Sequence, residues 1–186
     1  CELLPQIMEM SGAKSVFWNR CYEPWRIARD AKLKRILVGA GYEVFSTNGS
    51  LLWEPWGIKK KDGSAYKVFT PYYKKGCLGA KSPRSPLPPI GNISFSPSRF
   101  GGSKLDDLGL LPNVEWYKSL KDRWDISEKA ALEQLARFTE NGLEGYMERR
   151  NFPADFGVSR LSPYLHFGLI SSQNVWHIVE SAAEQK

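Results

Sequence analysis

Gly157-Val-Ser-Arg-Leu-Ser-Pro-Tyr-Leu-His-Phe-Gly168 is the stretch on which the reading of this chain turns. It combines a flexible entry, a hydroxyl-rich turn and the start of a helix. Ser162 has an N-cap side chain, whose oxygen can accept from a free amide of the first turn. Pro163 then falls at the first helical position, where its missing N–H costs nothing. Gly168 can adopt positive φ and closes the helix about two turns later. A helix N-terminus presents unpaired amides and partial positive charge. Ser159, Arg160 and Ser162 add three side-chain donors beside it. The run is therefore a candidate seat for a phosphate or pyrophosphate. Ser-Pro also opens helices of every kind, and the residues alone favour that plainer reading.

The chain before this stretch alternates helix and strand. Leu3, Leu4, Ile7 and Met8 predict an amphipathic helix over 2–11, which Gly12 ends. Ser15-Val-Phe-Trp18 reads as a buried strand. Asn19-Arg-Cys-Tyr-Glu23 is then a loop at its carboxyl end. Pro24 opens a second helix, with Trp25, Ala28, Ala31 and Leu37 as its rough apolar face, and Tyr42-Glu-Val-Phe45 reads as the next strand. This rhythm is that of a parallel α/β sheet, whose ligands sit beyond the carboxyl ends of the strands. The Asn19–Pro24 loop is the place for a site in this half, and it also reads as a simple connection.

Further on, Lys59-Lys-Lys-Asp-Gly63 reads as a solvated turn. Tyr66-Lys-Val-Phe-Thr-Pro-Tyr-Tyr-Lys-Lys75 interleaves aromatic and basic residues, as single-strand nucleic-acid surfaces do. An extended entry and a helix opening at Pro71 is the plainer and favoured reading. Residues 79–113 hold six of the twelve prolines and much Ser and Gly, which predicts a long linker. From Asp125 the pattern is helical. Asp125 or Ser127 caps a helix with Leu132, Leu135 and Phe138 as its stripe. Leu143, Tyr146 and Met147 mark a short second helix ending in Arg149-Arg150-Asn151. Ser171 or Ser172 caps a last one, with Val175, Ile178, Val179 and Ala182 at core spacing.

The chain has 186 residues, a formal net charge of +6 and a pI near 9.2. That balance permits a polyanion partner without requiring one. Cys1, Cys21 and Cys77 are odd in number and widely spaced, which fits neither a disulfide framework nor a zinc site and suggests a reducing, cytoplasmic setting. His166 and His177 do not make a metal site. No apolar run approaches the ~20 residues that span a bilayer. The start at Cys1 and the stop at Lys186 suggest a fragment of a longer protein.

The run Ser159-Arg-Leu-Ser-Pro-Tyr-Leu-His-Phe-Gly168, followed by Ile170-Ser171 after one residue, resembles the FAD-phosphate loop of the photolyase/cryptochrome family. Trp18-Asn-Arg-Cys-Tyr-Glu-Pro24, Asn48-Gly-Ser-Leu-Leu-Trp-Glu-Pro55 and Tyr66-Lys-Val-Phe-Thr-Pro-Tyr72 resemble segments of its antenna domain, in the family's order. The resemblance is strongest to class I-type enzymes that repair cyclobutane dimers, with cryptochrome photoreceptors as the alternative.

That resemblance implies an α/β fold followed by an all-α one. Residues 1–78 would be the later part of a doubly wound parallel sheet domain for the antenna, 79–124 an interdomain linker, and 125–186 the first helices of an FAD-binding domain. It implies FAD held by Tyr146, Val158, Ser159, Arg160, Leu161 and Ser162. Val158 stands where the family usually has Thr, so one hydroxyl contact is missing. Arg150 matches an arginine that touches DNA phosphate. The antenna would be methenyltetrahydrofolate or a deazaflavin, and Pro24, Trp25 and Arg26 depart from the folate pattern. The implied function is light-driven splitting of pyrimidine dimers in DNA by reduced FAD, in a protein that is monomeric at full length. No catalytic or metal-binding residue is assigned within this stretch. The family's lesion pocket and electron-relay tryptophans would lie beyond residue 186, so the chain alone is expected to be inactive and marginally stable.

Overall fold

The computed structural model describes residues 2–96 and 101–185. Cys1, Pro97 and Lys186, which figure in the sequence reading, lie outside the described residues. Packing divides the chain into two units: Cys1–Thr47 with Pro89–Asp125, and Asn48–Pro88 with Ile126–Lys186.

The first unit carries α1 (Leu3–Ser11), β1 (Ser15–Asn19), α2 (Pro24–Gly39) and β2 (Glu43–Thr47). β1 and β2 pair in parallel, Ser15 against Glu43 through Asn19 against Thr47. The sixteen residues of α2 supply the crossover that parallel strands require. Gly12 stops α1 in the left-handed region at φ 67°, with its amide on the Glu9 carbonyl. Pro24 opens α2 as its spacing predicts. Burial differs from the periodicity. In α2, Leu37 is buried, whereas Trp25, Ala28 and Ala31 are exposed. β1 is not a buried strand: Phe17 is 69% exposed and stacks on its register partner Phe45, ring centres 4.7 Å apart. A cross-strand aromatic pair stabilises a sheet face even where nothing covers it. Residues 101–125 add a 3₁₀ turn at Asp106–Leu108 and the short helix α4 (Lys118–Lys121).

The second unit begins with a helical segment that opens at Phe69, two residues before Pro71. It runs as α3 (Phe69–Pro71) into a π-helix (Tyr72–Cys77). Residues 79–88 belong to this unit despite their proline content. Trp53 Nε1 donates to the Lys81 carbonyl at 2.9 Å, and His177 Nε2 lies 3.2 Å from the carbonyls of both Pro83 and Arg84. Proline bars this segment from ladders and helices, yet leaves its carbonyls free to accept.

The helical part comprises α5 (Glu128–Asn141), α6 (Tyr146–Arg149), α7 (Ser162–His166) and α8 (Ser172–Glu184). Of the two caps open for α5, Ser127 is the one used, accepting from the Ala130 amide at 3.1 Å. Ser171 likewise caps α8 through the Asn174 amide at 3.1 Å. The buried face of α5 centres on Ala131 and Leu135, and Leu132 falls at its margin, 41% exposed. The core continues through Leu161, Tyr164 and Ile170. Gln173 is buried beside it, its amide nitrogen 2.9 Å from the Leu51 carbonyl. The architecture is α/β followed by α-helical, as the sequence predicts. Among the described residues, no helix is long and apolar enough to cross a membrane.

Candidate functional site

The loop 157–162 is held in place from two directions. Gly157 is buried against the end of α6. A Cβ built on it would stand 2.6–2.8 Å from the Cβ, carbonyl carbon and carbonyl oxygen of Arg149. Backbone atoms cannot step aside, so this position excludes any larger residue. From the other side, Gln134 on α5 donates its amide to the Ser159 carbonyl at 2.9 Å. Arg137, one helical turn further, donates to the Gln134 oxygen at 3.0 Å and so fixes which way that amide points.

Between these anchors the backbone turns sharply. Arg160 sits at φ 53°, the one non-glycine with positive φ among the described residues. A non-glycine residue there costs about 1–2 kcal/mol, and such strain collects at binding sites. The turn swings the Arg160 guanidinium over the Phe156 ring, 4.8 Å from its centre. It also drives Leu161 into the core at 2% exposure. Leu161 therefore offers a ligand no side chain. Among the described residues, no backbone carbonyl takes the amides of Val158, Ser159, Arg160 or Leu161. Ser162 is exposed.

Of the loop residues, Val158 and Arg160 border a cleft of about 410 Å³, and Ser159, Leu161 and Ser162 do not line it. Gln134, Arg137, Phe138 and Asn141 of α5 form one wall, and Phe156, Val158 and Arg160 the other. Two guanidiniums and no carboxylate line it. The donor set is that of an anion seat, which fits the phosphates of a dinucleotide such as FAD. Val158 lines the cleft with an apolar side chain, so the hydroxyl absent from the sequence is absent from the site.

Several expectations change in detail. Ser162 does not cap α7: Leu161 occupies the cap position with no side-chain bond, Ser162 is the first helical residue, and Pro163 follows it. Arg160 in the left-handed region turns the chain one residue early. The helix is five residues long rather than two turns. Its dipole is correspondingly small. Gly168 ends the segment as predicted, at φ 71°, with the Leu169 amide reaching the Tyr164 carbonyl at 2.9 Å.

Tyr146 does not line the cleft. Its ring meets Phe138 edge-on, centres 5.8 Å apart, and Arg150 lies over its face at 5.8 Å. The pair forms a ledge behind Phe138. The sequence reading missed Gln134, Arg137 and Asn141. Their spacing of three and four along α5 puts them on one face of the helix, which is the signal the sequence carries for them. Gly157 and Arg149 were missed because their contact depends on how the α6–α7 connection folds back.

In the first unit the loop after β1 is also well fixed. The Arg20 amide donates to the Thr47 carbonyl at 2.8 Å, and its guanidinium bonds the Ser46 carbonyl. Thr47 Oγ1 donates to Asn19 at 3.1 Å. Trp25 lies exposed beneath Arg26 and Arg29, whose guanidinium carbons are 5.0 and 5.6 Å from its ring.

The DNA photolyase family pattern matches residues 1–90. The chain is 37% identical to the deoxyribodipyrimidine photo-lyase of Agrobacterium fabrum, over 94% of this chain and 36% of that protein. It is 31% identical to cryptochrome-1 of Arabidopsis thaliana, over 95% of this chain and 26% of that one. A crystal structure of a class III photolyase from Agrobacterium tumefaciens superposes with a TM-score of 0.87 at 37% identity, covering 94% of this chain and 36% of that one. The chain thus spans between about a quarter and a little over a third of the length of these relatives. That structural relative is a class III photolyase, whereas the sequence reading expects a class I-type enzyme. The family pattern over residues 1–90 and relatives matched along nearly the whole chain place this polypeptide in the photolyase/cryptochrome family.

Proposed function

We propose that this chain is part of a photolyase: a flavoprotein that binds DNA and splits pyrimidine dimers in light. The observation that supports it most is the anchored 157–162 loop, with unspent amides beside Arg137 and Arg160. The relatives' printed activity, deoxyribodipyrimidine photo-lyase, gives the reaction. In this reading residues 1–78 are the later part of the antenna domain, 79–124 the connection, and 125–186 the start of the FAD domain.

FAD, when bound, supplies the light-driven electron that opens the dimer. The chain's own residues hold it. The amides of Val158, Ser159, Arg160 and Leu161 would donate to its phosphates, and Arg160 and the Ser159 and Ser162 hydroxyls would complete the seat. Tyr146 backs the site through Phe138. Arg150 is free to pair with a DNA phosphate, since its contact with Tyr146 is to the ring face and leaves guanidinium donors for an anion. The Asn19–Pro24 loop is the seat of an antenna chromophore, a folate or a deazaflavin. The full-length protein works as a monomer in a reducing cytoplasm.

The test is the absorption spectrum of the protein purified with this chain in its native gene, then illumination with dimer-containing DNA. A flavin band and restored thymines establish repair. A flavin band without repair makes the protein a cryptochrome-type photoreceptor. Folded protein without flavin overturns the reading.

A further inference from the structure

We propose that the aromatic-basic segment Tyr66–Lys75 is a docking surface for single-stranded nucleic acid, separate from the 157–162 cleft. Residues 48–88 carry eight Lys and Arg against two acids, Glu54 and Asp62. That net of +6 equals the charge of the whole chain. Asp62 is exposed and engaged within its own turn: its carboxylate accepts from the Ser64 amide at 2.9 Å and hydroxyl at 2.7 Å, which hold it below the usual carboxylate range. From 63 to 81 no acidic residue interrupts the surface.

The helical segment sorts its aromatics to two sides. Tyr66 and Tyr72 meet edge-on at 6.1 Å, and Gly76 presses so closely on Ile58 that a Cβ there would stand 2.6 Å from it. That side is pinned to the fold, with Ile58 and Cys77 buried. Phe69 and Tyr73 face the other way. They lie four residues apart, stack nearly parallel at 4° with centres 5.8 Å apart, and remain 73% and 38% exposed. The winding widens here, with the Leu78 amide reaching back five residues to the Tyr73 carbonyl. Positions four and five apart then share a face, which puts Lys74 beside Tyr73 over Phe69. Lys67, Lys74 and Lys75 are all exposed.

Two flat parallel rings, open on one side and flanked by lysines, match unpaired bases on a phosphate backbone. A paired duplex hides its base faces and cannot stack there. An apolar protein partner would leave the lysines without counter-charge. The surface therefore reads composition loosely and strand state strongly.

The test is anisotropy of a labelled oligodeoxythymidine with the full chain, against a duplex of the same length. Phe69→Leu keeps the apolar bulk and removes the flat ring, and it should weaken single-strand binding about tenfold. Lys74→Gln with Lys75→Gln should flatten the salt dependence by about 1.4 in log–log slope. Circular dichroism checks that each variant keeps its helices. Binding unchanged by both variants overturns the proposal, as does equal affinity for the duplex. Self-association lost on Phe69→Leu, with no oligonucleotide binding, also overturns it and makes the rings a contact between copies.

Discussion

Arg160 and Gly157 define the loop at the residue scale, and they do so by opposite means. Gly157 is there for space. Gly157→Ala should destabilise the chain by about 1–3 kcal/mol, since the new methyl meets the Arg149 backbone rather than a movable side chain. A lowered thermal midpoint in the absence of ligand checks this, and an unchanged one would remove Arg149 as the obstacle. Arg160, on the proposed function, is there for charge, at a conformational cost. Arg160→Gly relieves the left-handed strain but adds freedom to the unfolded chain, so stability should hold or rise by up to about 1 kcal/mol. Flavin binding should fall in the same variant because a guanidinium has left the cleft. Thermal melts and flavin titration of the same sample separate the two effects. A variant that loses stability and keeps flavin would reverse both assignments.

The turn Tyr72–Cys77 shows what an element adds to its residues. Burial, with the Cys77 thiol beside it, pushes the Tyr72 phenol above its ordinary 10.0. The folded state therefore prefers the neutral phenol. The stability this brings is fully present below about pH 10, where the unfolded chain is also protonated, and is lost as pH rises through the folded value. Denaturant midpoints taken across that range, alongside tyrosinate absorbance, should fall for this chain and stay flatter for Tyr72→Phe. If both fall alike, other groups govern the alkaline limb. α5 makes a similar point without titration. Its buried face of Ala131 and Leu135 fixes the helix, and the polar face thereby points Gln134 and Arg137 at the loop.

The two units differ in how much core each has. The first has Met8 and Leu37 as its buried apolar residues among those described, and the second has Ile58, Cys77, Ala130, Ala131, Leu135, Leu161, Tyr164 and Ile170. Local stability follows buried apolar contact. Amides of α5 and α8 should therefore exchange with solvent more slowly than those of α1 and β1. Hydrogen exchange read by mass spectrometry tests this at peptide resolution, and equal protection would mean that the β1–β2 ladder carries more stability than its burial implies.

Much of this protein was legible in its sequence. Helix starts at Pro24, Ser127 and Ser171 and stops at Gly12 and Gly168 follow from local chemistry, because a cap or a positive φ is satisfied within a few residues. The parallel rhythm and the loop motif were readable for the same reason. What the tertiary structure decided was everything that needs a partner distant in sequence. The sequence could not tell that Leu161 enters the core while Arg160 turns out, that Phe17 stays exposed, or that the proline-rich 79–88 packs on Trp53 and His177. Periodicity reports which side of an element is apolar. Which part of that side is covered depends on the neighbour that arrives, and that is settled by packing alone.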